Sequence, residues 1–195
     1  MALQGKLRHP KRFITGHNDK GESILVDDAV LGEDAPFYEL PNLGGVGFAQ
    51  AYVTRGFPMD IKGDATSKDG ADLGVYKDFL ANAPGLTVSD GTVLRYVDMP
   101  PGSTSAMHRT VSVDYGILLE GEIELILDSG EKRIMTRGDV CIQRATMHAW
   151  RNCSDTEWGR MLYILQPCQP FKIAGQEDNA KEDYGTLKGA LKDSA

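Results

Sequence analysis

The chain has 195 residues, 41% apolar and 25% charged, which suits one domain with its own core. Its net charge of −7 argues against nucleic acid or an anionic membrane as the main partner, because either favours a basic face. The three cysteines, Cys141, Cys153 and Cys168, are odd in number and lack a Cys-x-x-Cys spacing, which argues against a disulfide framework and a zinc knuckle.

Residues 1–11 read as a basic arm, with no apolar stretch after it of the kind a secretory signal needs. No apolar run reaches the roughly 18 residues of a membrane span, and a cytoplasmic protein is the expectation. "RFITGHNDKGESILVDD" reads as two short strands around a turn rich in Asn, Asp and Gly. His9 and His17 fall in the arm and this turn and are read as surface residues. "FYELPNLGGVGFAQAYVTRG" gives a second strand pair. Its Gly44, Gly45 and Gly47 lack the full spacing of a phosphate-cradling loop and read as a turn. "DIKGDATSKDGADLG" is polar and reads as a loop. "VYKDFLANAP" places Val75, Tyr76, Phe79, Leu80 and Ala83 on one helical face, and Pro84 stops it. This helix is expected on the exterior of the fold, where residues 62–84 can also serve as a lid.

From residue 91 the pattern is β. "TVLRYVDM" alternates and meets Pro100, Pro101 and Gly102. "YGILLEGEIELILDSGEKRIMTRGDVCIQ" is cut by turns at Glu120-Gly121, Asp128-Ser129-Gly130 and Arg137-Gly138-Asp139. "MHAWRN" and "RMLYILQP" supply two further strands. Short strands at this spacing predict an antiparallel sandwich or barrel. Residues 1–195 read as a single domain with an N-terminal arm (1–60), a barrel core (about 91–172) and a polar tail (173–195).

Two of the four histidines, His108 and His148, fall in this β region. In a closed barrel, strands distant in sequence face each other across the interior, so two inward histidines and a carboxylate can converge. Asp114 lies six residues beyond His108, about 20 Å on a straight strand, so the chain must bend for both to reach one site. Thr110 shares the parity of His108. Each residue also has an ordinary reading: a hydrogen-bonded barrel histidine, or a turn-forming aspartate. Arg144 suits a bidentate contact to a substrate carboxylate or a surface ion pair. Tyr115 and Tyr163 can offer a phenol to a pocket or pack as core. Trp150 and Cys141 read as packing residues, and Asn152 as a brace for the turn after the His148 strand.

The spacing Gly102, five residues, His108, Arg109, Thr110, three residues, Asp114, six residues, Gly121 resembles the first motif of the cupin superfamily. Gly138, five residues, Arg144, Ala145, Thr146, Met147, His148, three residues, Asn152 resembles the second. The resemblance implies an all-β double-stranded β-helix (cupin jelly roll), with short N-terminal strands and one or two short peripheral helices. It also implies a homodimer, because arm strands of small cupins often cross to a partner and an unpaired edge strand is a liability. Departures are visible. The family's second histidine is Thr110, its glutamate is Asp114, its proline is Arg144, and one residue is missing before His148. The ligand set that remains is His108, Asp114 and His148, which can hold one divalent metal (Fe, Zn or Mn) or act without one.

The wording also looks like small cupins encoded beside microbial and fungal secondary-metabolite pathways, polyketide pathways among them. Three functions follow as expectations. The first is a lyase or isomerase that dehydrates, decarboxylates or cyclises a small oxygenated molecule through His108, Asp114 and His148, with Thr110, Arg144, Tyr115 and Tyr163 contacting substrate. The second is a metal-dependent oxidoreductase resembling dioxygenases. The third is a non-catalytic small-molecule binder.

Overall fold

Period-two alternation organises the chain, and the inward face it creates holds the site. The computed structural model describes residues 7–26, 31, 35, 37–39, 45–63 and 71–187. The first six residues of the arm, Gly44, residues 64–70 of the polar loop and the last eight residues of the tail lie outside the described residues. The strands are β1 (Thr15–His17), β2 (Ser23–Leu25), β3 (Phe37–Glu39), β4 (Gly47–Val53), β5 (Val93–Met99), β6 (Ser112–Glu120), β7 (Ile123–Leu127), β8 (Lys132–Met135), β9 (Val140–Arg144), β10 (His148–Asn152) and β11 (Gly159–Pro167). Helix α1 (Ala71–Ala81) stands between β4 and β5, and a 3-10 turn spans Gly185–Leu187.

Six strands form one sheet in the order β3-β4-β5-β11-β6-β9, three form a second in the order β10-β7-β8, and β1-β2 is a separate hairpin. Every strand pairing is antiparallel. This is the expected jelly roll, with β3 and β4 extending the larger sheet. Tight turns at Gly121, Gly130 and Gly138 all take positive φ (84°, 89° and 93°), a conformation that glycine adopts without steric cost.

The core between the two sheets is built from Met99, Leu118, Ile123, Met135, Trp150 and Met161. A second cluster joins Tyr76 and Phe79 of α1 to Val53, Val88, Val93 and Leu165. Helix α1 begins four residues before the stretch predicted for it, in "ADLG", which the sequence reading assigns to the loop. Its buried residues are Leu73, Tyr76 and Phe79, a spacing of three that places them on one face. Ala83 lies beyond its end. The Tyr76 hydroxyl donates to the Gln50 carbonyl at 2.7 Å, and the Tyr52 hydroxyl to Asp72 at 2.6 Å, so the helix is tied to β4 rather than left as a loose cover.

The arm is also held. Asp98 and Arg160, side by side on β5 and β11, form a bidentate pair with both contacts at 2.6 Å. Arg160 also donates to the Arg8 carbonyl at 2.7 Å and lies over the rings of Phe37 and Tyr96. His9, read from sequence as a surface residue, is half-buried and meets Phe37 edge-on at 5.1 Å. Its packing on a strand 28 residues away in sequence leaves no local signal. His17 is exposed, as expected.

Asp98 is fully buried, and burial outweighs Arg160 in leaving its carboxyl above the ordinary range. Removing one partner therefore strands a buried charge. Asp98→Ala should lower unfolding free energy by about 3–5 kcal/mol. The double change Asp98→Ala with Arg160→Met should recover part of that loss, as read by urea denaturation.

Candidate active site

The two sheets open around a cavity of about 520 Å³. Its lining comes from the inward positions of β4, β5, β6, β10 and β11 and from the segment 100–110, and includes Phe48, Arg95, His108, Thr110, Asp114, His148, Trp150 and Tyr163. Four of the expected residues, His108, Thr110, Asp114 and His148, are brought together there, with Tyr163 on the same wall.

His108 and His148 are not opposed across the interior. They are cross-strand neighbours: each backbone N–H donates to the other's carbonyl at 2.9 Å. Their rings lie side by side with centroids 4.3 Å apart. His108 Nδ1 bonds the Ala106 carbonyl and His148 Nδ1 the Thr146 carbonyl, each at 2.9 Å. A carbonyl can only accept, so each Nδ1 carries the proton and each Nε2 keeps its lone pair. Burial lowers both pKa values, His148 to about 3 with His108 as a second cause. Both rings are neutral near pH 7.

The shortened second motif makes the turn that holds His148. Ala145 takes φ 51°, a left-handed conformation costing a non-glycine residue about 1–2 kcal/mol. The Thr146 hydroxyl donates to Gln143 Oε1 at 2.8 Å, and the Thr146 carbonyl then meets the imidazole.

The bend required between His108 and Asp114 occurs at Val111. It lets the Thr110 hydroxyl donate to Asp114 Oδ2 at 3.2 Å. Asp114 Oδ1 is buried and has no hydrogen-bond partner. Burial raises the Asp114 pKa to about 6, against the pull of the nearby Ser112 and Thr110 hydroxyls and of the Arg95 charge. Trp150 is 4% exposed and braces the wall, edge-on to His148 at 5.6 Å and to Tyr163 at 5.8 Å. Burial holds the Tyr163 phenol well above its ordinary pKa. Asn152 Nδ2 donates to the carbonyls of Met99, Pro100 and Glu157, the bracing role its spacing implies.

Two of the expected substrate contacts are elsewhere. Tyr115 is 38% exposed, because the inward residues of β6 are Ser112, Asp114, Gly116 and Leu118. Arg144 is also exposed, because β9 turns Gln143 inward. Neither lines the cavity. The guanidinium that does is Arg95, which sequence reasoning missed. The signal was present: Val93, Arg95, Val97 and Met99 share one parity in "TVLRYVDM", so a charge stands on an otherwise apolar face.

The metal set inferred from the motif does not fit. No group of three or more His, Cys, Asp and Glu among the described residues can hold an ion. Asp114 is engaged with Thr110 rather than grouped with the imidazoles, and two nitrogens are all that remain of the expected His108, Asp114 and His148 set.

The pKa shifts make stability depend on pH with opposite signs. The histidines have depressed values, so the unfolded chain binds protons that the folded chain refuses, and stability falls as pH drops from 6.5 towards 3. Asp114 is raised, so the folded chain holds a proton that the unfolded chain has lost, and it gains stability as pH falls through 6 to 3.8. Melting temperature should therefore decline with acid less steeply in His148→Gln than in the native chain, and more steeply in Asp114→Asn. Thermal melts between pH 7 and 4 read both slopes.

The Cupin domain family matches residues 95–165. Phomopsin biosynthesis cluster protein C' of Diaporthe leptostromiformis is 43% identical over 88% of this chain and 85% of its own length. The cupin-domain-containing oxidoreductase virC of Hypocrea virens is 39% identical over 86% of this chain and 80% of its own. Among solved structures, the cupin domain of Schizosaccharomyces pombe Cnp3 covers 82% of this chain and 90% of its own at 14% identity, with a TM-score of 0.46. These relatives cover 86–88% of the chain, and the chain belongs to the cupin domain family.

Proposed function

We propose that this cupin is an enzyme of secondary metabolism that dehydrates or isomerises a small oxygenated molecule by acid–base chemistry. The observation that carries this reading is Asp114: a buried carboxyl with one unpartnered oxygen and a pKa of about 6, in the same cavity as two neutral imidazoles. The kinship with proteins named for biosynthesis clusters supports the metabolic setting.

Residue roles follow from protonation. A base whose pKa lies near the working pH combines a useful ionised fraction with useful driving force, which describes Asp114. His148, at about 3, is too weak a base for that task. Its Nε2 and that of His108 each accept a hydrogen bond from a separate substrate hydroxyl, and together they orient the molecule. Asp114 Oδ1 takes a proton from carbon. In a dehydration the C–H pair becomes the C=C bond as the C–O bond on the next carbon breaks, and the departing hydroxyl leaves as water with the proton Asp114 has just gained. In an isomerisation the C–H pair becomes the C=C bond of an enol as the π pair of an adjacent carbonyl moves to its oxygen, and the proton returns at another atom as that pair moves back. Nothing is oxidised or reduced in either case.

The names of several relatives as oxidoreductases favour a second reading, a redox conversion in the same cavity. Product mass separates the two. Fungal metabolite extract incubated with the protein should yield a product isomeric with its precursor or lighter by one water, with unchanged yield under anaerobic conditions or with chelator. A gain of oxygen or a change of two hydrogens would overturn the acid–base reading.

Asp114→Asn should lower kcat about 10²–10⁴-fold, the usual contribution of one general base. His108→Ala should abolish turnover. The native rate should rise with pH through about 6 and then level, as Asp114 ionises. A rate independent of pH from 5 to 8 would move the base elsewhere.

A further inference from the structure

Arg95 stands on the inward face of β5, only 2% exposed, and lines the cavity. A guanidinium has five N–H donors and no acceptor. Nη2 donates to the Gly85 carbonyl at 2.7 Å, and the group lies over the Phe48 ring at 5.1 Å. Nε is buried without a partner. No carboxylate forms an ion pair with Arg95 among the described residues, and Asp114 acts on it only through space. The other buried guanidinium, Arg160, is fully paired by Asp98. An uncompensated buried charge is costly, and among the described residues Arg95 is the one Lys or Arg side chain on the cavity wall.

We propose that Arg95 is the receptor for a substrate carboxylate, so that the cavity takes a small, largely apolar carboxylic acid. Geometry gives the fork one kind of occupant. Parallel N–H donors match the two oxygens of a planar carboxylate, and the surrounding wall of Val46, Phe48, Leu86, Val97 and Leu165 suits the apolar remainder. Arg95 pairs with Tyr163, and Leu165, two residues on, pairs with Asp114. Two strand spacings and one two-residue step put the Arg95 and Asp114 Cα atoms about 12 Å apart. An acid anchored at Arg95 thus extends towards the proton-transfer end. The proposal rests on the acid–base reading for what happens at that end, but not for binding.

The test is isothermal titration of the full-length protein with benzoate, hydrocinnamate and 1-naphthoate, and with their primary amides. At least one acid should bind, at least tenfold more tightly than its amide. Arg95→Gln should remove that preference, and Arg144→Gln, on the outward face, should leave it intact. If Arg95→Gln does not fold, Arg95→Lys decides: losing the fork should reduce the preference. Binding of acid and amide alike, no acid bound more tightly than about 10 mM, or a preference that survives Arg95 replacement would overturn the assignment. Asp114→Asn keeps the two ideas apart. It should retain the acid preference and lose turnover. Turnover surviving that change sinks the acid–base reading alone, and a missing acid preference sinks the Arg95 assignment alone.

Discussion

The site depends on one pair of backbone hydrogen bonds, those exchanged between His108 and His148. Residues that exchange both bonds lie directly opposite in an antiparallel ladder and project to the same face. The two imidazoles are therefore adjacent because the main chains are, whatever their side chains do. Each ring is then fixed by a carbonyl two residues before it along the chain. Main-chain geometry thus sets position, orientation and tautomer together, and it does so at the seam where the segment 100–110 meets the smaller sheet. A slip of either segment by one residue would turn its own ring out of the cavity and separate the pair.

Around that seam the wall inverts the usual order. On β6 the inward positions are Ser112, Asp114 and Gly116, while Val113, Tyr115 and Ile117 face outward. Burying polar groups without partners disfavours folding, and Arg95 Nε and Asp114 Oδ1 are such groups. The apolar clusters on either side, one reaching α1 and the other between the sheets, supply the burial that tolerates them. Gly116 has a steric part as well: a Cβ there would sit 2.9 Å from the Tyr163 ring. Its absence lets that ring lie against β6 and complete the wall.

Much of this was readable in advance because it follows from period two. Turns at Gly121, Gly130 and Gly138 mark strand ends, and the motif spacing identifies His108, Asp114 and His148. What sequence left ambiguous was facing. Arg144 and Arg95 are both arginines in short strands, yet only Arg95 points inward. For Arg95 the parity with Val93, Val97 and Met99 marks the inward face. For Arg144 the parity misleads, because Val140 and Ile142, the apolar residues that share its face, are themselves exposed. The side-by-side histidines were not legible either, since spacing in sequence does not reveal that residues 40 apart share one rung. His9 shows the same limit, its burial depending on Phe37 and on the arm's path over β5 and β11.

A carboxylate held by Arg95 would also narrow the chemistry open to Asp114. Loss of carbon dioxide disperses the carboxylate's charge, so a fork that binds the charged ground state tightly opposes that step. The anchored group would then be a handle and not a leaving group, which sets decarboxylation apart from dehydration and isomerisation. The reverse holds for a proton removed farther along the molecule, where the handle fixes the distance to Asp114 without losing its own interaction as the reaction proceeds. Binding energy spent at Arg95 serves orientation at the other end of the cavity, and the neutrality of the two imidazoles keeps them from competing for the anion.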